Sequence, residues 1–267
     1  MATIERHAPG AFSWIELATT DQTAAKDFYA KIFGWSSQDF PIGPNEVYTI
    51  FQVEGRDAAA GCALRPDQIT RGVPPHWNLY AAVESADATA ARASQLGGTV
   101  LAPPFDVFDS GRMAVVQDPT GATICLWQPN KHPGTGIAGS HGTLCWADLS
   151  TPDQARAGQF YSDLFGWQIM KEDEDPEHNY WHIKNGEEFI GGIPPGSHHR
   201  AGTPAHWLAY FLVSDCDATA AAAKSLGAKL HMPPTDFEDV GRISILADPQ
   251  GATFAIFKAA ARGAFAA

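Results

Sequence analysis

The polar and apolar positions of the chain alternate between two periods. Ser13 to Ala18 reads as a strand. A capped run then begins at Thr20 or Asp21, with apolar Ala24, Ala25, Phe28, Ile32 and Phe33 on one helical face. Gly34 stops it, as a glycine past the last helical turn does. Val47 to Val53 alternates with the strand period of two, Ala58 to Leu64 is short and apolar, and His76 to Val83 is a further strand. Ser85 or Asp87 caps an alanine-rich helix that ends at Gly97-Gly98. Thr99 to Ala102, Met113 to Gln117 and Thr123 to Gln128 read as strands, the last two joined by a tight turn at Asp118-Pro119-Thr120-Gly121.

This grammar is written twice. WIELATTDQTAAKDFYAKIFGW from Trp14 returns as WADLSTPDQARAGQFYSDLFGW from Trp146, and HWNLYAAVESADATAARASQLGG from His76 returns as HWLAYFLVSDCDATAAAAKSLGA from His206. DPTGAT at Asp118 returns as DPQGAT at Asp248. A repeat in which the same words keep their order is a structural duplication. The expected organisation is α+β: a first domain over 10–129, a glycine-rich linker over 130–141 and a second domain over 142–258. Each half carries its own set of elements, so each is expected to fold when cut near Gly136, unless the modules pair between domains.

Composition narrows the function classes. Thirty Asp and Glu against 18 Lys and Arg give a formal net charge of -12, without a basic block. Nucleic acid and anionic membranes are therefore not expected partners. Residues 1–10 hold Glu5, Arg6 and Pro9 in place of the apolar run of a signal peptide. Cys62, Cys125, Cys145 and Cys216 show no CxxC spacing and sit in apolar, strand-like contexts. The expectation is a reduced, cytoplasmic protein, monomeric or weakly self-associating.

The words Asp21-x7-Tyr29-x4-Gly34, the strand-helix run ending at Gly98, and Asp118-Pro-x-Gly121, each repeated in the second half, resemble the vicinal oxygen chelate superfamily. That family includes glyoxalase I, bleomycin-resistance proteins and extradiol dioxygenases, and the resemblance runs from Phe12 to Phe257. The WxEL, FYxxxFGW, PPxW and DPTGA phrases are most similar to two-domain glyoxalase-like proteins, often labelled hydroxylases. The resemblance implies four βαβββ modules, two per half, curving mixed sheets around clefts.

It also implies where a divalent metal would be held, by His and Glu on cleft-facing strands. The position seven before the helix cap holds Trp14 and Trp146. The position five before the strand valine holds Asn78 and Leu208, and the position seven after the DPxG aspartate holds Cys125 and Ala255. The fourth position falls near Gly61-Cys62 and Gly191-Gly192. A zinc or nickel site needs three or four N, O or S donors, so neither half is expected to keep a metal, and no cofactor is expected.

Residues two apart on a strand share a face. Glu16 therefore accompanies Trp14, and His76 and Tyr80 accompany Asn78; Asp148, His206 and Tyr210 repeat the set. These six are the candidate catalytic groups. Trp14, Asn78, Arg112, Cys125, Trp146 and Arg242 are the candidate ligand-binding groups. The plainer readings are a His76 that satisfies Glu16 or backbone within the core, arginines in salt bridges at the rim, and a buried, inert Cys125 lacking a neighbour to lower its pKa. Trp77 and Trp207 point the other way and pack on the helices. His132 and His141 belong to the linker, His198-His199-Arg200 reads as a solvated loop, and Glu172 to Glu177 as a solvated acidic one.

Three functions fit. One is a metal-free protein binding a small organic molecule in its cleft, with a detoxifying or metabolic role. Another is an enzyme, either a lactoylglutathione lyase-like isomerase or a hydroxylase or dioxygenase with a displaced metal or acid–base site. The last is a protein-interaction module with a vestigial cleft.

Overall fold

The structure, a computed structural model, describes residues 2–44, 46–171 and 179–260. The expected acidic loop from Glu172 to Glu177 lies outside the described residues. In chain order the strands are β1 (Ala2–Thr3), β2 (Phe12–Thr19), β3 (Ser36–Gly43), β4 (Glu46–Val53), β5 (Arg56–Ala63), β6 (His76–Ala82), β7 (Thr99–Val107), β8 (Gly111–Gln117) and β9 (Thr123–Pro129). They continue with β10 (Ile137–Ala138), β11 (Leu144–Ser150), β12 (Gln168–Lys171), β13 (Trp181–Asn185), β14 (Glu188–Ile193), β15 (His206–Leu212), β16 (Lys229–Phe237), β17 (Gly241–Ala247) and β18 (Thr253–Ala259). The helices are α1 (Gln22–Phe33), α2 (Pro66–Thr70), α3 (Ala86–Gln95), α4 (Gln154–Phe165) and α5 (Cys216–Ser225).

The helices start and stop as their sequences dictate. Asp21 accepts the Ala24 N–H at the head of α1, and Gly34 ends it in the left-handed region at φ 70°. Asp153 and Gly166 do the same for α4. Three strands show why parts of the fold lie outside the sequence expectation, as β1 and α2 also do. β3 is an edge strand exposed along most of its length, so its sequence SSQDFPIG has no apolar alternation to betray it. β7 runs on through Pro103 and Pro104, which an edge position tolerates because one side needs no ladder donors. The short β10, inside the linker, pairs with β1 and ties the N-terminal residues to it.

Each half forms one eight-stranded mixed sheet. The first has the order β3-β4-β5-β2-β6-β9-β8-β7, the second β12-β13-β14-β11-β15-β18-β17-β16. The two βαβββ modules of a half meet along an antiparallel seam, β2 with β6 and β11 with β15. That seam fixes the register of the candidate site: Trp14 faces Tyr80, Glu16 faces Asn78 and Ala18 faces His76.

Strand alternation splits the side chains between two environments. Ile15, Leu17, Trp77 and Leu79 join the large core shared with the helices. Trp14, Tyr80, Cys125 and Trp127 form a separate cluster on the opposite face, and Trp146, Leu208, Tyr210 and Phe257 its counterpart in the second half. Among the described residues no helix is long and apolar enough to cross a membrane.

The shared core decides how the halves relate. Their helix-bearing faces pack against each other, α1 on α5 and α3 on α4, and buried residues of both halves form one continuous cluster. The Phe33 and Phe211 rings lie 5.1 Å apart. Trp35 Nε1 donates to the Gly142 carbonyl at 3.0 Å, and Trp167 Nε1 to that of Gly10 at 2.9 Å. Gly142 is glycine for two reasons: its φ is 79°, and a Cβ there would press on Phe33 and the Trp35 indole.

The repeated Phe-Tyr and Asp-Pro-x-Gly words meet across this boundary. Tyr29 Oη donates to Asp248 Oδ2 at 3.0 Å and accepts from Trp77 Nε1 at 3.2 Å. Trp207 Nε1 donates to Tyr161 at 3.0 Å, and Tyr161 faces Asp118 without closing to a full hydrogen bond. The α1 and α4 aromatics pack against the other half, the pairing between domains that the expectation of separately folding halves set as its exception.

Candidate functional site

On the face of each sheet away from the helices, a carboxylate stands among aromatic rings. In the second half the arrangement is closed. Trp146 Nε1 and Tyr180 Oη both donate to Asp148 Oδ1, at 2.9 and 2.5 Å, and Tyr210 Oη donates to Oδ2 at 2.7 Å. Asp148 is 7% exposed. Burial raises its pKa; the bonds from Tyr180, Tyr210 and Trp146 and the charge of His182 draw it partly back.

The first half has the same plan, held more loosely. Trp14 Nε1 donates to Tyr48 Oη at 3.0 Å. Glu16 is half-buried. Burial raises its pKa, while Tyr48, Tyr80 and the Cys62 thiol direct hydrogens toward it and lower it again, with a smaller contribution from the charge of His76. The short bonds that close on Asp148 have no counterpart on Glu16 among the hydrogen bonds of the described residues. Burial and the neighbouring carboxylate push the phenols of Tyr48, Tyr80, Tyr180 and Tyr210 well up, so all four stay protonated donors.

Tyr48 and Tyr180 were not singled out in the sequence. They lie 132 residues apart, the offset of Trp14 and Trp146. That offset is the signal that finds them. The linker residue His132 also joins the site, its ring edge-on to Trp14 with centroids 4.6 Å apart and its Nε2 3.6 Å from Asp57.

The other expected residues divide. Asn78 lies opposite Glu16 and is half-buried; Leu208 takes its place in the second half. His76 and His206 share the cleft-facing parity, but each ring binds local backbone, Nδ1 to the Pro74 and Pro204 carbonyls at 2.8 and 2.9 Å. Cys125 is buried beside Tyr80, and burial, then the charge of Glu16, push its thiol up and keep it un-ionised.

Arg112 and Arg242 do not come to the cleft. Their strand parity turns them to the helix-bearing face, where each forks onto the first turn of a helix: Arg112 onto Asp87 at 2.7 and 2.9 Å, Arg242 onto Asp217 at 2.7 and 2.8 Å. Asp106 and Asp236 complete the pairs. In the 196–203 loop, expected to be solvated, His199 is half-buried and tied to Ser150 and the Thr203 carbonyl.

Apolar rings line the mouth. Phe40 pairs with Tyr48 and Phe105 with Met113, so both share the cleft face of those partners, at 43% and 46% exposure. In the second half Met170 pairs with His182, and Phe237 stands at the end of β16.

A metal does not fit this donor set. The indole N–H of Trp14 and that of Trp146 are spent as hydrogen-bond donors, Leu208 and Ala255 have no donor atom, and the Cys125 thiol is held protonated. No group of three or more His, Cys, Asp or Glu among the described residues is placed to hold an ion. What the arrangement can do is hold an apolar molecule against rings and offer one carboxylate with adjacent phenols to its polar edge.

The family model of the Glyoxalase/Bleomycin resistance protein/Dioxygenase superfamily matches residues 11–126 and 143–256. The chain is 41% identical over 254 residues to "Putative glyoxylase CFP32" of Mycobacterium tuberculosis, covering 94% of this chain and 95% of that one. It is 34% identical over 279 residues to the "Anthracycline biosynthesis protein DnrV" of Streptomyces peucetius, covering 97% and 99%. Among solved structures, the fold is shared with the Mn(II)-bound glyoxalase of Novosphingobium aromaticivorans (TM-score 0.63, 15% identity, covering 94% and 83%). It is also shared with the homoprotocatechuate 2,3-dioxygenase of B. fuscum (TM-score 0.65, 14% identity, covering 96% and 73%).

Proposed function

Because the chain belongs to the glyoxalase/bleomycin resistance protein/dioxygenase superfamily, we propose that it uses the concave face of that fold to bind a small organic molecule, without a metal. The observation that carries this reading is the ring cluster around Glu16 on the sheet face away from the helices. Trp14, Tyr48 and Tyr80 gather beside Glu16 and Asn78, and exposed Phe40 and Phe105 share that sheet face. Apolar walls with a few convergent polar groups are the usual makeup of a small-molecule site. Flat rings suit a flat ligand, which can stack offset on an indole or phenol. The ligand's polar edge would meet the Glu16 carboxylate and the Asn78 amide.

The experiment is a titration of the intact protein with a panel of aromatic and polycyclic metabolites, read by quenching of tryptophan fluorescence, alongside elemental analysis of the purified protein. Saturable quenching that Trp14→Phe and Tyr48→Phe alter while the melting temperature holds supports the reading. One equivalent of tightly bound divalent metal per domain overturns its metal-free part. Absence of saturable quenching across the panel leaves the protein-interaction reading standing instead.

One observation favours a catalytic variant: the pKa of Glu16 is raised beside a protonated phenol at Tyr48. A carboxyl group whose pKa burial has raised and an adjacent phenol are the kind of pair that can take a proton from one atom of a substrate and return it to another. Turnover of a hemithioacetal or another enolisable substrate, lost in Glu16→Gln and retained in His76→Asn, is the result expected of it.

A further inference from the structure

The two clefts differ at one backbone position, and the difference decides what each can accept. Ala60 stands beside Glu16 on β5, and Gly192 stands beside Asp148 on β14. A Cβ on Gly192 would overlap the Tyr180 hydroxyl and the ring carbon that bears it. Tyr180 therefore occupies the space that the methyl group of Ala60 fills in the first half. It closes on Asp148 with Tyr210 and Trp146, leaving neither carboxylate oxygen without a donor. In the first half the corresponding position carries the Ala60 methyl group. Tyr48 accepts from the Trp14 indole as Tyr180 does from that of Trp146, and Glu16 stays half-buried with Asn78 alongside.

The first cleft thus presents a carboxylate that lacks a basic partner. Of the charges acting on Glu16, the cation-capable one is His76, whose ring is turned to the Pro74 carbonyl. Arg65, whose charge reaches Cys62, is exposed and paired with Asp67. His132, beside Trp14, is set toward Asp57. Arg112 is committed to Asp87 and Asp106 on the other face of the sheet. A carboxylate among rings with no resident cation leaves its counter-charge to be supplied by what binds there.

We propose that the first cleft receives an organic cation, a protonated or quaternary amine on a flat apolar body, with Glu16 as its counter-charge, and that Tyr180 seals the second cleft against the same ligand. This rests on the small-molecule reading above and adds to it the charge of the ligand and the identity of the working cleft.

The test uses the full chain with phenyltrimethylammonium chloride, its uncharged isostere tert-butylbenzene, and benzoate, each followed by tryptophan quenching and calorimetry. The cation is expected to bind one per chain and at least about tenfold tighter than the isostere. Glu16→Gln is expected to abolish that preference while leaving tert-butylbenzene unchanged, and Asp148→Asn to leave both unchanged. The backbone swap adds a reciprocal pair. Ala60→Gly lets Tyr48 close on Glu16 and weakens cation binding, and Gly192→Ala, if the variant folds, adds a second cation site. Circular dichroism checks the fold of each variant. Equal binding of cation and isostere, insensitive to Glu16→Gln, overturns the cation proposal and leaves the small-molecule reading intact. Binding of benzoate in preference to the cation also overturns it. Failure of all three probes overturns both. Two equivalent sites in the unmodified protein overturn the sealing of the second cleft.

Discussion

Tyr29 is the sharpest place to test how the halves are joined. Tyr29→Phe keeps the ring, which is fully buried and stacks with Trp35 at 5.5 Å, and removes only the hydroxyl. Two buried groups then lose a partner. Trp77 Nε1 loses its acceptor, and Asp248 Oδ2 loses the 3.0 Å donor from the other half, while Asp248 Oδ1 keeps its bonds from the Gln250, Gly251 and Ala252 amides. A stranded buried polar group costs about 1–3 kcal/mol, and two adjacent ones are not additive, so the expected loss is roughly 2–4 kcal/mol. In a chain of this size that lowers Tm by about 5–10 °C. Tyr161→Phe is the internal control: Tyr161 does not close on Asp118, so only Trp207 Nε1 loses a partner, at roughly 1–2 kcal/mol. Urea denaturation at pH 7, followed by circular dichroism and by tryptophan fluorescence, measures both. The two probes should report one transition, because the core is common to both halves. A Tyr29→Phe loss under about 0.5 kcal/mol, or one no larger than that of Tyr161→Phe, refutes the reasoning.

Cut near Gly136, the separately expressed halves are expected to be insoluble or molten and to give a folded, sedimenting 1:1 complex when refolded together; two soluble folded halves would show that the shared core is dispensable. Glu16 has a folded pKa raised above its unfolded value, so the folded state binds the proton more tightly and stability falls as pH rises from the unfolded toward the folded pKa. Glu16→Gln should therefore stabilise the protein above the folded pKa and converge on the parent at pH 4 and below; parallel stability curves across pH 4–8 would contradict the shift. Arg112→Ala is expected to leave ligand affinity in the first cleft unchanged within about twofold and to lower Tm only slightly, since its ion pairs are exposed; a large loss of affinity measured by fluorescence titration would bring Arg112 back to the cleft.

The duplication, the strand-helix grammar and the helix ends were legible in the chain because each is local. Asp21 caps and Gly34 terminates through contacts only a few residues away. The parity of a strand also carries far: it put Glu16, Trp14 and Tyr80 on one face and Trp77 on the other before any coordinates. Parity was equally available for Arg112, which lies one residue out of step with Met113 and so faces the helices. Without the β7–β8–β9 register, though, nothing in the chain says which of the two faces the cleft. β3 escaped because an exposed edge strand needs no apolar face, and Tyr48 because its partner Trp14 lies 34 residues away.

What only the tertiary structure decided is whatever depends on two distant backbones meeting. The sequence writes Phe-Tyr and Asp-Pro-x-Gly twice in each chain order, and either tyrosine could have served its own half; helix-face packing assigns each to the other half's turn. The sequence also writes alanine at 60 and glycine at 192, a difference of one methyl group. Its consequence appears only where β14 passes under Tyr180: there the missing Cβ leaves room for a phenol to close on a carboxylate, a closure that Glu16 lacks among the hydrogen bonds of the described residues.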